Sequence, residues 1–250
     1  MYGEHPIMDR PPPCCWSVQE IAGGCHRLRC KRWTIVKGVR LVPLDRSKLL
    51  EGVIRLTRED SDLATIHDRF GPPPLWDRPT GFASLVLIIL EQQVSLASAR
   101  AAFDRLNQWV GSLTPRALLE LDVVTLKALG FSRQKSVYAR LLAQAIEQGV
   151  IDLDGLVDLP DDTVRDRLVQ LKGIGPWSAD IYLLMALLRP DVWPRGDLAL
   201  VVSVKEVKRL SELPDRPTFE RFGAAYTPLR SVAARLYWWH YLNTRGRHGK

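Results

Sequence analysis

The stretch Leu171-Lys-Gly-Ile-Gly-Pro-Trp-Ser-Ala-Asp180 sets two glycines one residue apart between two helical runs, with a proline directly after the second. Proline suits the first turn of a helix, where its missing N–H would have had no partner anyway. The segment therefore predicts a helix, a tight hairpin and a second helix opening at Pro176. Gly173 and Gly175 permit positive φ and close approach of another chain. The N–H groups of the Lys172-Gly-Ile-Gly175 turn then lie at a helix N-terminus, an arrangement that accepts an anion such as a phosphate. Taken alone, a glycine-x-glycine pair also reads as a simple tight turn.

Outward from the hairpin the pattern stays helical in both directions. Helical runs are predicted over 57–70, 82–92, 95–109, 114–120, 122–129, 132–148, 160–171, 176–188, 198–209, 219–226 and 229–243, with glycine, proline, serine or aspartate at most junctions. About ten short helices with no alternating strands after residue 55 predict an all-α fold and exclude Rossmann and barrel patterns. Ahead of them, Trp33-Thr-Ile-Val36 and Val39-Arg-Leu-Val42 flank Lys37-Gly38 and read as a β-hairpin or strand pair within 29–54. Residues 1–30 lack periodicity and are rich in Pro, Gly and Cys, so the expected division is a flexible extension plus hairpin over 1–56 and a helical domain over 57–250.

The 250 residues are 46% hydrophobic and 25% charged, a balance that predicts a globular chain with a sizeable core. Fully apolar stretches such as Leu85 to Leu90 fall far short of the roughly 20 residues that span a bilayer. No secretory h-region is found in the first thirty residues, so a cytoplasmic location, at the nucleoid or in the nucleus, is expected. The net charge of +7 admits a nucleic acid partner without requiring one. Its distribution is uneven. Residues 1–58 carry 11 basic and 5 acidic side chains, residues 59–225 carry 19 and 23, and residues 226–250 carry 5 and none. A nucleic acid site in the middle would need oriented backbone amides and a few local arginines; solvated basic tails are the plainer account of the ends. Cys14, Cys15, Cys25 and Cys30 are all in the first thirty residues. Cys14, Cys25, His26 and Cys30 lack a paired C-x2-C knuckle, so free thiols are expected ahead of a zinc site.

The hairpin block, together with Met185-Ala-Leu and Trp193-Pro-Arg-Gly-Asp197, resembles the helix-hairpin-helix DNA glycosylase superfamily, and within it the 3-methyladenine DNA glycosylase II branch. Two further blocks carry the resemblance: Ile89-Leu-Glu-Gln-Gln-Val-Ser95 and Tyr226-Thr-Pro-Leu-Arg-Ser-Val-Ala-Ala-Arg-Leu-Tyr-Trp-Trp239. It extends over about residues 57–245 and implies a two-lobed helical bundle. The implied activity is monofunctional hydrolysis of the N-glycosidic bond of alkylated purines, of the 3-methyladenine and 7-methylguanine type, in damaged duplex DNA. That is a base excision repair reaction performed by flipping the base out of the helix. A monomer is the default expectation.

The resemblance assigns the catalytic carboxylate to Asp197, which also reads as the N-cap of a helix opening at Leu198; the two roles are compatible. Asp180 is the rival carboxylate and reads as a structural hydrogen-bonding group inside the bundle. The base pocket is assigned to Trp177, Trp238 and Trp239, with Tyr182 as a further candidate, while core packing is an equal reading for Trp239 and Tyr182. Gln93, followed by Val94, is assigned to the gap left by the flipped base, against the plainer reading of a polar turn. Lys172 through Gly175 are assigned to DNA contact. The main-chain carbonyls of Val169, Leu171 and Ile174 are assigned to a monovalent cation, Na+ or K+. Bifunctional members place a nucleophilic lysine where this chain has Trp177, so no lyase step is expected. The four-cysteine iron-sulfur loop of other members has no counterpart near this C-terminus, and no cofactor is required.

Two departures from the branch stand out: little room for a β-rich N-terminal domain, and Arg195-Gly196 where many members have proline and valine. The competing readings are a glycosylase for another damaged base and a non-catalytic helix-hairpin-helix binder of distorted DNA.

Overall fold

The computed structural model describes residues 42–246, and every regular element among them is helical. Twelve α-helices occur in this order: α1 (Arg46–Glu59), α2 (Ser61–Phe70), α3 (Phe82–Glu91), α4 (Leu96–Val110), α5 (Pro115–Leu119), α6 (Val123–Ala128), α7 (Arg133–Glu147), α8 (Asp161–Val169), α9 (Pro176–Ile181), α10 (Leu198–Val207), α11 (Arg216–Ala224) and α12 (Arg230–Thr244). A 3-10 turn (Asp154–Asp158) precedes α8, and a π-helical turn (Tyr182–Ala186) continues α9. No helix of the described residues is long and apolar enough to cross a membrane.

Polar caps set most of the boundaries. Asp45, Asp60, Ser95, Thr114, Asp122, Ser132, Asp197 and Asp215 each accept a first-turn N–H at the start of a helix. Such a cap stabilises a helix by about 1 kcal/mol, and five-residue α5 and six-residue α6 add to it a fully buried leucine each, Leu118 and Leu126.

The helices sort into two groups over one continuous core. In the first, α3 packs against α4 and α7, and α7 packs against α5 and α6; in the second, α12 packs against α1, α2, α10 and α11. Helix α9 and its π-helical continuation join the two, touching α3 and α8 and accepting at the Leu184 carbonyl from Arg235 of α12. This position requires α3 to be apolar all round, and from Phe82 to Leu90 it buries eight of its ten residues.

The structure corrects the N-terminal expectation. Residues 46–56 are not extension or hairpin but most of α1, so the helical domain starts at least eleven residues before 57, and the break at Asp60 divides the predicted 57–70 helix in two. The signal was present: Leu49, Val53 and Leu56 recur on one face and are buried, and Asp45 caps Lys48. Gly52, which weakens a helix in isolation, is needed because α12 lies so close that a Cβ there would meet Val232 at 2.9 Å. The Trp33–Val36 strand and most of its partner, the zinc alternative and the four cysteines lie outside the described residues.

The connection from α2 to α3 is long but pinned at intervals. Gly71 turns at φ +72, and Pro72-Pro-Pro74 stiffens the chain leading to Leu75. Leu75 offers its carbonyl to Arg235, Arg78 N–H donates to Met185, and Gly81 N–H donates to the Tyr182 hydroxyl at 2.9 Å. Arg78 also forms a two-pronged pair with Glu91 at 2.9 and 2.8 Å, fastening the segment to α3.

Candidate active site

The hairpin between α8 and α9 forms as the sequence implies. Gly173 sits at φ +99, and its missing Cβ leaves room for the Tyr138 ring of α7. Gly175 differs: its φ is −93 and nothing lies within 4 Å of a Cβ built there. Its benefit is open backbone in front of the α9 N-terminus rather than a left-handed turn. Pro176 occupies the first turn of α9. Lys172 is exposed, whereas the Ile174 side chain is buried in the core, which leaves only its main chain for contact.

The loop between α3 and α4 is locked to this hairpin. Gln92 Nε2 donates to the Gly173 carbonyl at 2.8 Å and to Ser178 Oγ at 3.0 Å. Lys135 Nζ donates to the Leu90 carbonyl at 2.6 Å, and burial lowers the pKa of that amine. Gln93 is exposed and holds φ +57, a left-handed conformation uncommon for a side-chain-bearing residue. Val94 beside it is 44% exposed and Leu96 60%. A polar tip flanked by apolar side chains is thus presented from a braced edge, next to a cavity of about 280 Å³ lined by residues that include Gln93, Ser98, Lys135 and Tyr138.

Asp197 caps α10 at the junction of the two helix groups. Its Oδ1 accepts the Leu200 N–H at 2.8 Å and the Trp238 indole N–H at 3.1 Å, and its Oδ2 accepts the Trp177 indole N–H at 2.9 Å. All three partners are donors, the set an anionic carboxylate requires. With two acceptor positions per oxygen, Oδ1 is filled and Oδ2 keeps one place for a further donor. The residue is half-buried rather than sealed in the core.

Behind it, Asp180 is fully buried and accepts from Arg165 Nε at 2.7 Å and from the Arg195 N–H at 3.2 Å. Burial opposes the charge on Arg165, but the Asp180 contact outweighs it and raises the guanidinium pKa. Asp180 is therefore the interior hydrogen-bonding group expected, and it holds the turn through Gly196, at φ +77, that delivers Asp197.

These residues meet the HhH-GPD superfamily profile, described as base excision DNA repair protein, over residues 86–243. The chain belongs to that superfamily. Within the HhH-GPD proteins, DNA-3-methyladenine glycosylase 1 of Schizosaccharomyces pombe is 26% identical over 180 residues, covering 70% of this chain and 79% of that protein. The S. pombe 3-methyladenine DNA glycosylase in complex with abasic DNA superposes with TM-score 0.70 at 24% identity, over 80% of this chain and all of that one. A DNA-3-methyladenine glycosidase from Bacillus halodurans gives TM-score 0.65 at 28% identity, over 81% and 93%.

The assigned HhH-GPD site residues do not all gather in one place. Trp177 and Trp238 converge on Asp197, but Trp238 is 8% exposed and its N–H is committed, so it acts on the carboxylate more than as an open stacking face. Trp239 is half-buried with its N–H on the Phe70 carbonyl at 3.0 Å. Tyr182 is corrected: it is wholly buried, its hydroxyl accepts from Gly81, and burial raises its pKa. A face of α9 that looks continuous in sequence turns inward at the π-helical turn, carrying Tyr182 into the core. Trp76 escaped the sequence reading. Its ring stands edge-on to Trp238 and Trp239 at centroid distances of 6.4 and 6.1 Å, and the available signal was a tryptophan close behind a proline run.

The hairpin carbonyls suit a hard monovalent cation in kind. Leu171 O accepts from Ile174 N–H at 3.0 Å and keeps a second lone pair, and the Val169 and Ile174 carbonyls accept no hydrogen bond among the described residues.

Proposed function

We propose that this protein is a monofunctional DNA glycosylase that releases alkylated purines, of the 3-methyladenine and 7-methylguanine type, from duplex DNA in base excision repair. One observation carries the reading: a half-buried carboxylate, Asp197, held by two indole N–H groups from separate helices with one oxygen position left open.

Purines alkylated at N3 or N7 are already cationic, so their glycosidic bond is weak and the leaving base needs no proton. When the C1′–N bond breaks, its electron pair leaves with the base, which departs neutral, and positive charge develops on the sugar. The Asp197 carboxylate opposes that charge electrostatically. Its open Oδ2 position takes a proton from the attacking water, whose oxygen bonds to C1′ and leaves an abasic site. The half-buried Trp177 ring beside Asp197 offers electron-rich surface to a flipped cationic base.

Gln93 is the plug that enters the space left by that base, supported by Val94. The turn from Lys172 to Gly175 takes a backbone phosphate on its N–H groups. A monovalent cation on the carbonyls of Val169, Leu171 and Ile174 would add positive charge on that side. Trp177 occupies the position of the lyase lysine, so the abasic strand stays intact. The protein acts as a monomer at the DNA, in the compartment that holds it.

The test is to incubate the protein with methylated duplex DNA and assay free base by chromatography and strand breaks by gel, before and after alkali. The reading expects free 3-methyladenine or 7-methylguanine, with breaks only after alkali. Tight binding with no base released would instead support a binder of distorted DNA.

A further inference from the structure

Trp76 lies in the α2–α3 connection at φ +50, a left-handed conformation that a bulky side chain rarely adopts. Such conformations persist where the surroundings over-determine them, and they gather at ligand sites. Here the surroundings do so. The Leu75 carbonyl accepts from Arg235 Nε at 2.8 Å, and Arg235 is wholly buried, its other nitrogens donating to the Ser231 carbonyl at 3.0 Å and the Leu184 carbonyl at 2.8 Å. One of the three carbonyls, that of Leu75, belongs to the loop, so a buried guanidinium anchors the peptide that leads into Trp76 to α12 and the π-helical turn.

The ring so placed is edge-on to Trp238, with an interplanar angle of 69°, and to Trp239, with 64°. Trp238 donates to Asp197, so Trp76 stands one indole away from the carboxylate. It is half-buried and retains exposed surface. A residue needed only for packing could sit in an ordinary conformation on the core side of the loop.

We propose that Trp76 is a specificity-determining residue: it closes the base pocket on the side of Trp238 and favours a positively charged purine over a neutral one. The inference rests on the alkylated-purine reading above. An indole face attracts a cationic ring more strongly than phenylalanine does, and an aliphatic side chain offers no such attraction.

The experiment compares wild type, Trp76→Phe and Trp76→Leu in single-turnover release of 7-methylguanine from a duplex. Alongside, it measures the affinity of each protein for a duplex carrying a tetrahydrofuran abasic analogue. It also measures inhibition by a hypoxanthine duplex, which reports on a neutral base whether or not that base is released. The release rate is expected to fall about threefold in Trp76→Phe and about tenfold in Trp76→Leu. Abasic affinity and hypoxanthine inhibition stay within about twofold, and the two variants have similar Tm values. Equal losses on the cationic and neutral bases, losses that track Tm, or no loss at all would overturn the role of Trp76 while wild-type release leaves the alkylated-purine reading standing. Absence of release by wild type itself would overturn that reading and the inference with it.

Discussion

The indole N–H of Trp177 meets Oδ2 of Asp197 at 2.9 Å, across 20 positions of sequence. A residue in the first turn of the second hairpin helix thereby orients the carboxylate and ties the hairpin directly to Asp197. Trp238 does the same from α12 at Oδ1, which the Leu200 N–H already steadies.

The two indoles should therefore differ in effect. Trp177→Phe removes the donor on Oδ2 and lowers the single-turnover rate of base release by about tenfold or more, whereas Trp238→Phe leaves Oδ1 with its Leu200 contact and costs less. The double variant loses less than the product of the two, since both act through one carboxylate. Rate measurements on the three variants check this ordering.

Asp180 is predicted to matter for stability. Asp180→Asn removes the buried carboxylate opposite Arg165, leaving the guanidinium only its Asp162 partner, and costs about 3 kcal/mol. For a chain of this size that lowers Tm by roughly 6–12 °C, measurable by thermal unfolding. Replacement of exposed Arg216, whose partner Glu220 is one helical turn away, shifts Tm by about 2 °C or less.

Asp60 gives the fold a pH dependence, because Lys208 Nζ at 2.7 Å and the Tyr226 hydroxyl at 2.8 Å tie the α1–α2 junction through its carboxylate to the chain just after α10 and α11. Burial opposes the charge, but those two hydrogen bonds outweigh it and hold the carboxyl below 3.8. The unfolded chain then binds more protons than the folded one just below that value. The stabilisation is fully present above about pH 4 and is lost as pH falls through the folded pKa. Asp60→Asn lowers Tm at pH 7, and its gap to wild type closes in strongly acidic buffer; a gap that stays constant with pH contradicts the assignment.

Lys172 should contribute to DNA affinity without taking part in chemistry. Lys172→Ala weakens duplex binding and reduces the slope of log affinity against log salt by about 0.9. Borohydride traps no covalent protein–DNA complex in wild type or variant. A trapped complex that disappears in Lys172→Ala would assign an amine nucleophile to the hairpin.

Most of the helical order was legible because short polar residues mark where these helices start: Ser95, Asp122, Ser132 and Asp197 cap the helices predicted behind them. The exception is α1, whose apolar period, interrupted by Gly52 and preceded by a β-like run, falls within the expected extension-plus-hairpin segment; the closeness of Val232, which makes that glycine necessary, is a tertiary fact. In the site, the family resemblance assigns Trp177 and Trp238 to the base pocket and the catalytic carboxylate to Asp197. Spacing could not tell that Tyr182 turns inward or that Trp238 offers its N–H rather than its face. Trp76 was hidden for a different reason: its position depends on Arg235, which reaches the neighbouring Leu75 carbonyl from 160 positions away, and no local pattern links a proline-rich loop to a buried guanidinium.

The most direct test of Asp197 as the reacting carboxylate is the single-turnover rate of Asp197→Asn on a 7-methylguanine duplex, read with its affinity for an abasic duplex. Asparagine keeps an oxygen for the Leu200 cap but loses the negative charge. The rate should therefore fall at least about a hundredfold, while Tm and abasic affinity stay close to wild type. A variant that folds, binds and still releases base at the wild-type rate would place the chemistry on another group.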